Sequence, residues 1–283
     1  FYIGSDVFYT YIVSNNCWKT RIEQRTDAGY FAKAEELKQA LLSGSFPENI
    51  REQFRSMLTY YGQSPIIVRS SSFLEDGFGN AFAGKYESVF CVNFGPLEKR
   101  LEAFENAVRQ VYASTMDISA LEYRLQRGLE KKDEQMSILV QRVSGSWAGP
   151  YYLPGVAGVG YSRCLYKTSH DADPTAGMLR LVVGLGTKAV DRTEDDYPRL
   201  VNLDRPAVRN LTSVADRHRF SQHNVDVIDR ERQVFRSISV DEAHRYLPGW
   251  FHDLMFERDY EAEASLREMG IKDEVWFISC QGL

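Results

Sequence analysis

The run Pro65-Ile66-Ile67-Val68-Arg69-Ser70-Ser71-Ser72-Phe73-Leu74-Glu75-Asp76, continued by Phe82-Ala83-Gly84-Lys85-Tyr86-Glu87-Ser88, concentrates the residues able to do chemistry. An apolar strand ends in an arginine, then three hydroxyls, then an acidic pair, then a loop spaced by glycine and alanine that re-enters a strand. A fixed cation and many small donors at one strand end, where backbone amides can face the same point, suit an anion, and polyphosphate is the obvious guest. Arg69 is the sharpest candidate, because a guanidinium binds phosphate oxygens in two places and never loses its charge. Its competing role is a structural ion pair with Glu75 or Asp76. Ser70, Ser71 and Ser72 act either as phosphate ligands, through hydroxyl or amide, or as ordinary turn residues.

The pattern resembles the nucleotide-binding domain of the phosphoenolpyruvate synthase and pyruvate phosphate dikinase family, whose signature runs V-R-S-S-A-x-x-E-D, a short gap, then F-A-G-x-x-E/D-S/T. The chain follows it through Val68, Arg69, Ser70, Ser71, Glu75, Asp76, Phe82, Ala83, Gly84, Glu87 and Ser88, and departs at Ser72, where the family often has alanine. The resemblance implies an ATP-grasp fold and transfer of phosphoryl from ATP to a histidine carried on another domain. On that reading Arg69 is catalytic, stabilising charge on the transferring group. Ser70, Ser71, Glu75, Asp76, Gly84 and Lys85 join it as nucleotide contacts. Glu75 and Asp76 either hold the loop or lie near magnesium; loop geometry is favoured, because the family's metal carboxylates come from a later strand. Phe78 to Gly84 has the small residues of a flap able to approach a ligand closely and close over it.

Three further segments resemble the same family. Ile138-Leu139-Val140-Gln141-Arg142-Val143 matches its V-Q-x-M-V strand, which runs into the hinge beside the adenine, and nominates Gln141 and Val143. The alternative is a plain core strand. Gly155 to Arg163 matches S-G-V-x-F-T/S-R and nominates Arg163 for the triphosphate; its glycine order is wrong for a dinucleotide loop. Val182-Val183-Gly184-Leu185-Gly186, with Ala189-Val190-Asp191-Arg192, matches G-L-G-x-x-V-V-x-G and nominates Gly184 and Gly186. Arg192 replaces a usual glycine there, adding a cation that faces phosphate or pairs with Asp191.

The elements that must carry these residues are legible in part. Helical stripes run over Lys33–Leu42, Pro47–Tyr61 (ended by Gly62) and Leu97–Val111. Capping boxes at Ser119–Glu122 and Ser239–Glu242 open two more, the latter interrupted by Pro248. Strands are expected at Phe1–Gly4, from Pro65, at Tyr86–Phe94 (apolar on both faces, hence interior), Ser137–Val143, Gly158–Arg163, Met178–Val183 and Val225–Asp229. His218–Arg236 is dense in charge and reads as a solvated surface insertion with weak strands, its His218 and His223 in water. The expected fold is α+β and ATP-grasp-like, with mixed, mostly antiparallel sheets and flanking helices, in two lobes, 1–135 and 136–283.

Composition bounds the partners. At 283 residues and a net charge of -5 the chain is large enough for a sizeable core and unlike a general nucleic-acid binder. No apolar run spans a bilayer and no signal peptide opens the chain. Cys17, Cys91, Cys164 and Cys280 share no metal spacing and suit reduced thiols of a cytoplasmic protein. The five histidines lack metal spacing, and none matches the family's carrier histidine. The chain starts at Phe1 and stops one loop past Val275–Ile278, as an excised piece truncated at both ends would. The family's glycine-lysine segment and the acidic strand holding Mg2+ are then expected outside it, and the isolated piece is expected to be inactive. The whole protein would be an ATP-dependent phosphotransferase, its partners a phosphohistidine carrier domain and a PEP/pyruvate domain of the same polypeptide. A related dikinase with another acceptor (a glucan or an antibiotic hydroxyl), or a non-catalytic nucleotide sensor, would keep the same front end.

Overall fold

The computed structural model describes residues 1–75, 84–164, 173–190, 196–208, 211 and 213–280. The chain divides into two compact units, Phe1–Val143 and Ser144–Leu283.

In the first unit β1 (Tyr2–Ile3) leads to α1 (Ser5–Ser14), α2 (Trp18–Gln24), α3 (Gly29–Ala32), α4 (Ala34–Ser43) and α5 (Glu48–Tyr61). Then come β2 (Ile66–Ser72), β3 (Ser88–Cys91), α6 (Leu97–Ser114), α7 (Ile118–Gln126) and β4 (Met136–Arg142). The strands form one antiparallel sheet in the order β1-β4-β2-β3. Strand alternation puts Ile66, Val68, Ile138 and Val140 on one face, all fully buried. That face belongs to the same core as Phe8 and Tyr11 of α1, Phe54 and Leu58 of α5, and Phe104, Val108 and Tyr112 of α6. Burying four such aliphatic side chains is worth about 1.5–3 kcal/mol each before entropy is charged.

The entry into β2 is pinned by a buried cation. Arg100 of α6 donates from Nη1 to the carbonyls of Leu58 (3.0 Å) and Gly62 (2.7 Å), capping the C-terminal end of α5. Asn93 adds Nδ2 bonds to the carbonyls of Gly62 and Ser64. The last turn of α5, and hence the start of β2, is thereby fixed.

Two expectations need correction in this unit. The strand around Tyr86–Phe94 is short and lies at the sheet edge, not in its interior. Its apolar residues on both faces reflect packing against α6 on one side, with Phe90 half-buried on the other. Helix α7 opens two residues before the expected box, at Asp117, whose carboxylate pairs with Lys38 at 2.6 Å. The strand Met136–Arg142 is hydrogen-bonded along its length to β2, inside the first unit.

The second unit contains β5 (Ser146–Ala148), β6 (Tyr151–Leu153), β7 (Ala157–Tyr161), β8 (Met178–Val182), α8 (Thr187–Val190) and β9 (Arg199–Asn202). It continues through α9 (Val214–Arg219), β10 (Asn224–Asp229), β11 (Val234–Ser239), α10 (Val240–Tyr246), α11 (Gly249–Met255), β12 (Phe256–Arg258), α12 (Tyr260–Glu268) and β13 (Trp276–Ile278). Its sheets are β11-β10-β6-β5, β7-β8-β9 and the pair β12-β13, all antiparallel. Ser239 caps α10 by accepting the Glu242 N–H, as its box implies. Pro248 separates α10 from α11.

The charged stretch His218–Arg236 is not a solvated insertion. Its β10 is an interior strand, with Val225, Val227 and Ile228 fully buried. The acids within it are buried because each is paired. Asp229 accepts Arg236 Nε at 2.8 Å and the amides of Glu231 and Arg232 at 2.9 Å. His218 is not free in water either: its Nδ1 lies 2.9 Å from Asp259 and its ring stacks on Phe277. The fold is therefore α+β with small antiparallel sheets and flanking helices.

Candidate functional site

Residues 67, 69 and 71 of β2 point away from the core, and the register pairs them with Gln141, Leu139 and Ser137 of β4. Ser88 of β3 stands opposite Arg69 on its other side. This sheet face carries Arg69 and Gln141 as exposed side chains beside half-buried Ile67, Ser71, Ser137 and Leu139. Arg69 Nη1 makes a long contact of 3.5 Å to Gln141 Oε1. Among the described residues no carboxylate pairs with Arg69, so the ion pair with Glu75 does not form. Toward the described residues the guanidinium makes only this one contact.

Glu75 instead holds the strand end. Its Oε1 accepts Ser70 Oγ–H at 2.8 Å and its Oε2 accepts the Ser72 amide at 2.9 Å, while its own N–H reaches the Ser72 carbonyl at 3.1 Å. Both carboxylate oxygens are engaged in loop geometry, and Ser70 is the hydroxyl they claim. Ser71 remains on the open face with Arg69.

Gly84 is exposed at φ +75°, a left-handed conformation that costs a side-chain-bearing residue energy. Lys85 follows it with Nζ 5.5 Å from the Tyr123 ring centroid. Gln141 ends on the exposed face beside Arg69, whereas Val143 is buried and spends its N–H on the Pro65 carbonyl at 2.9 Å. Asp76 and the flap residues Phe78–Ala83 lie outside the described residues, as do Asp191 and Arg192.

The second unit carries the remaining candidates. Arg163 is exposed, just past the end of β7. Gly184 sits at φ +98° against β10, where a Cβ would come within 2.7 Å of the Asp226 carbonyl, so only glycine fits. Gly186 follows at φ +84°. The loop is tied down through acids that sequence reasoning did not single out. Asp226 accepts from Thr187 Oγ1 and from Ser237 Oγ (2.6 Å), and its carbonyl accepts the Leu185 N–H. Lys188 Nζ lies 2.8 Å from Asp196, which also accepts the amides of His223 and Asn224. Burial alone would push Asp196 upward, but Lys188 and these amides hold its carboxyl below the usual range. Lys188 is thus committed to the loop.

Sequence reasoning also missed Glu134, Tyr86 and Arg124. Glu134 is 3% exposed and accepts the hydroxyls of both Ser72 and Tyr86, with Arg124 Nη1 at 3.8 Å. Burial pushes the Glu134 carboxyl and the Tyr86 phenol upward. The one signal available was an acidic residue just ahead of an apolar strand. A groove of about 820 Å³ between β1 and α5, lined by Tyr2, Asp6, Asn49, Glu52 and Met57 among others, holds none of the nominated residues.

Among the described residues no group of three or more His, Cys, Asp or Glu side chains is placed to hold a metal ion. The four cysteines are free thiols, and no described helix is long and apolar enough to cross a membrane.

Comparison with curated proteins finds no significant match to the chain. The model of the family described as pyruvate phosphate dikinase, AMP/ATP-binding domain, matches residues 1–250. A match over that much of the chain shows that the chain belongs to the AMP/ATP-binding domain family of pyruvate phosphate dikinase.

Proposed function

We propose that this ATP-binding domain delivers phosphoryl from ATP to a carrier histidine on another domain of the same polypeptide, which passes it to an acceptor such as pyruvate. The observation that carries the reading is Arg69, exposed on the open face in the middle of β2 with no acidic partner among the described residues. In the transfer an imidazole nitrogen attacks phosphorus and the bond to the bridging oxygen breaks. Charge spreads over the phosphoryl oxygens, where a preorganised guanidinium is worth most. Ser71 shares its face, and Ser70, Ser72 and Glu75 keep the strand end in shape. Gln141 is assigned to orient Arg69, and Val143 to line the hinge. Gly84 and Lys85 are assigned to the phosphate side; Arg163, Gly184 and Gly186 are each assigned as nucleotide contacts. Magnesium would accompany ATP, bridging its phosphates. Four free thiols suit a reducing, cytoplasmic setting.

The test is phosphoryl transfer by the full-length protein. Arg69→Ala is expected to cost about 2–4 kcal/mol of transition-state stabilisation, the loss of one preorganised donor. Activity within twofold of the parent would overturn the assignment. ATP binding without any transfer in the parent would favour a nucleotide sensor instead.

A further inference from the structure

We infer that Glu134 is a positioning residue for the phosphate end of the site, holding together the two chain segments that flank positions 76–83. The inference rests on the reading of Arg69 as the phosphate contact. On one flank, at the end of β2 and three residues past Arg69, Ser72 donates its hydroxyl to Glu134 Oε1. On the other, just ahead of β3, Tyr86 donates its hydroxyl to Oε2. Each oxygen of one carboxylate therefore grips one flank. Ser72 Oγ in turn accepts the Leu74 amide at 2.9 Å, so the grip extends into the turn that Glu75 closes.

The acid is itself held in place. Arg21 of α2 donates from Nη2 to the Glu134 carbonyl at 2.8 Å and to Asp133 Oδ1 at 2.9 Å. Arg124 of α7 is 5% exposed, stands 3.8 Å from Oε2, and donates to the Thr115 carbonyl at 2.6 Å. The charged and titratable groups facing Glu134 are Arg124 and Tyr86, with Glu75 acting on it through the Ser72 turn.

A buried carboxylate is an expensive way to stabilise a fold, since desolvation offsets most of what its partners return. What it offers that a neutral group cannot is two strong acceptors at once, able to fix two hydroxyl donors from separate segments. Protonation removes that property, because the acid then becomes a donor at one oxygen and releases a flank. Burial raises the proton affinity of Glu134 in the folded state. The sign is informative: a raised carboxyl pKa means that lowering the pH favours the folded state through this group. A loss of ATP affinity on acidification would thus report position and not unfolding through Glu134.

The experiment measures ATP binding by the full-length protein between about pH 8 and pH 5, for the parent, Tyr86→Phe, Glu134→Gln and Arg69→Ala, with thermal melts of each and phosphoryl transfer by Arg69→Ala. Tyr86→Phe frees one flank with the least disturbance of the fold and is expected to weaken ATP binding about tenfold. Glu134→Gln is expected to weaken binding at neutral pH and to lack the loss of affinity on acidification expected of the parent. If Arg69→Ala loses phosphoryl transfer while Tyr86→Phe and Glu134→Gln bind ATP like the parent with the same pH profile, the role of Glu134 is overturned and that of Arg69 stands. If Arg69→Ala transfers phosphoryl like the parent, the phosphate reading falls and this inference with it. Should Glu134→Gln fail to fold, Tyr86→Phe decides the matter alone, parental affinity counting against the inference.

Discussion

Arg69 shows how a single residue's surroundings sort a structural from a functional cation. Among the described residues the nearby acid that could have neutralised it, Glu75, is occupied by Ser70 and Ser72, and the neighbour it does touch, Gln141, is uncharged. Arg100 of the same unit is the contrast: it is buried and donates to the carbonyls of Gly95, Leu58 and Gly62, which is what a structural arginine looks like. Geometry matters as well as charge at position 69. Lysine offers a point charge on a flexible stem and cannot make two parallel bonds to a phosphate. Arg69→Lys in the full-length protein is therefore expected to recover less than about a tenth of parental transfer activity, since losing one such bond costs ~1.5–3 kcal/mol. Steady-state rates check this, and recovery to near the parental rate would mean that charge alone suffices.

At the scale of elements, α10, α11 and β13 are joined by a column of rings. His244 stacks on His252 with centroids 4.0 Å apart and on Trp276 at 4.6 Å, and Phe256 meets both imidazoles edge-on. The Nε2 atoms of His244 and His252 are buried with no hydrogen-bond partner among the described residues. Burial, with His252 adding to it, lowers the pKa of His244 against the opposing pull of Asp241 and Glu274. A histidine held neutral binds fewer protons when folded than when unfolded. Its contribution is complete above the ordinary imidazole range and is lost as the pH falls through it. Between about pH 8 and pH 5.5 the chain should lose more stability than His244→Phe, which keeps the stack and removes the titration. Denaturant titrations at the two pH values measure it; equal losses would show that the column does not sense protons.

For the whole molecule, the division after Val143 means that the first unit has a core of its own, running from Phe8 and Tyr11 to Phe104 and Tyr112. The unit also contains every strand of its sheet, so excising it breaks no strand ladder. Residues 1–143 made alone are expected to fold and melt cooperatively, as a unit of that size with one continuous core should. Circular dichroism through a thermal ramp is the check. A featureless melt would show that the unit is compact in contacts but dependent on the rest of the chain for stability.

Local pattern by itself determined much of this protein: the strand that carries Arg69, although it runs on through the three serines to Ser72, the amphipathic stripe of α5 with Gly62 behind it, and the Ser239 cap of α10. These are encoded within a few residues, by side-chain period, by the conformational freedom of glycine and by a hydroxyl three residues from the amide it accepts. The family resemblance sat on the same short runs. Tertiary structure alone decided which acids would be buried and for whom. Glu134 meets Ser72 across 62 residues of sequence, and Asp226 meets Thr187 across 39. The charge density of His218–Arg236 suggested solvent, yet β10 became an interior strand because Arg236, Ser237, Thr187 and local amides met its two acids. Sequence shows that a charge is present, but the free energy of burying it depends on partners that only folding brings within reach.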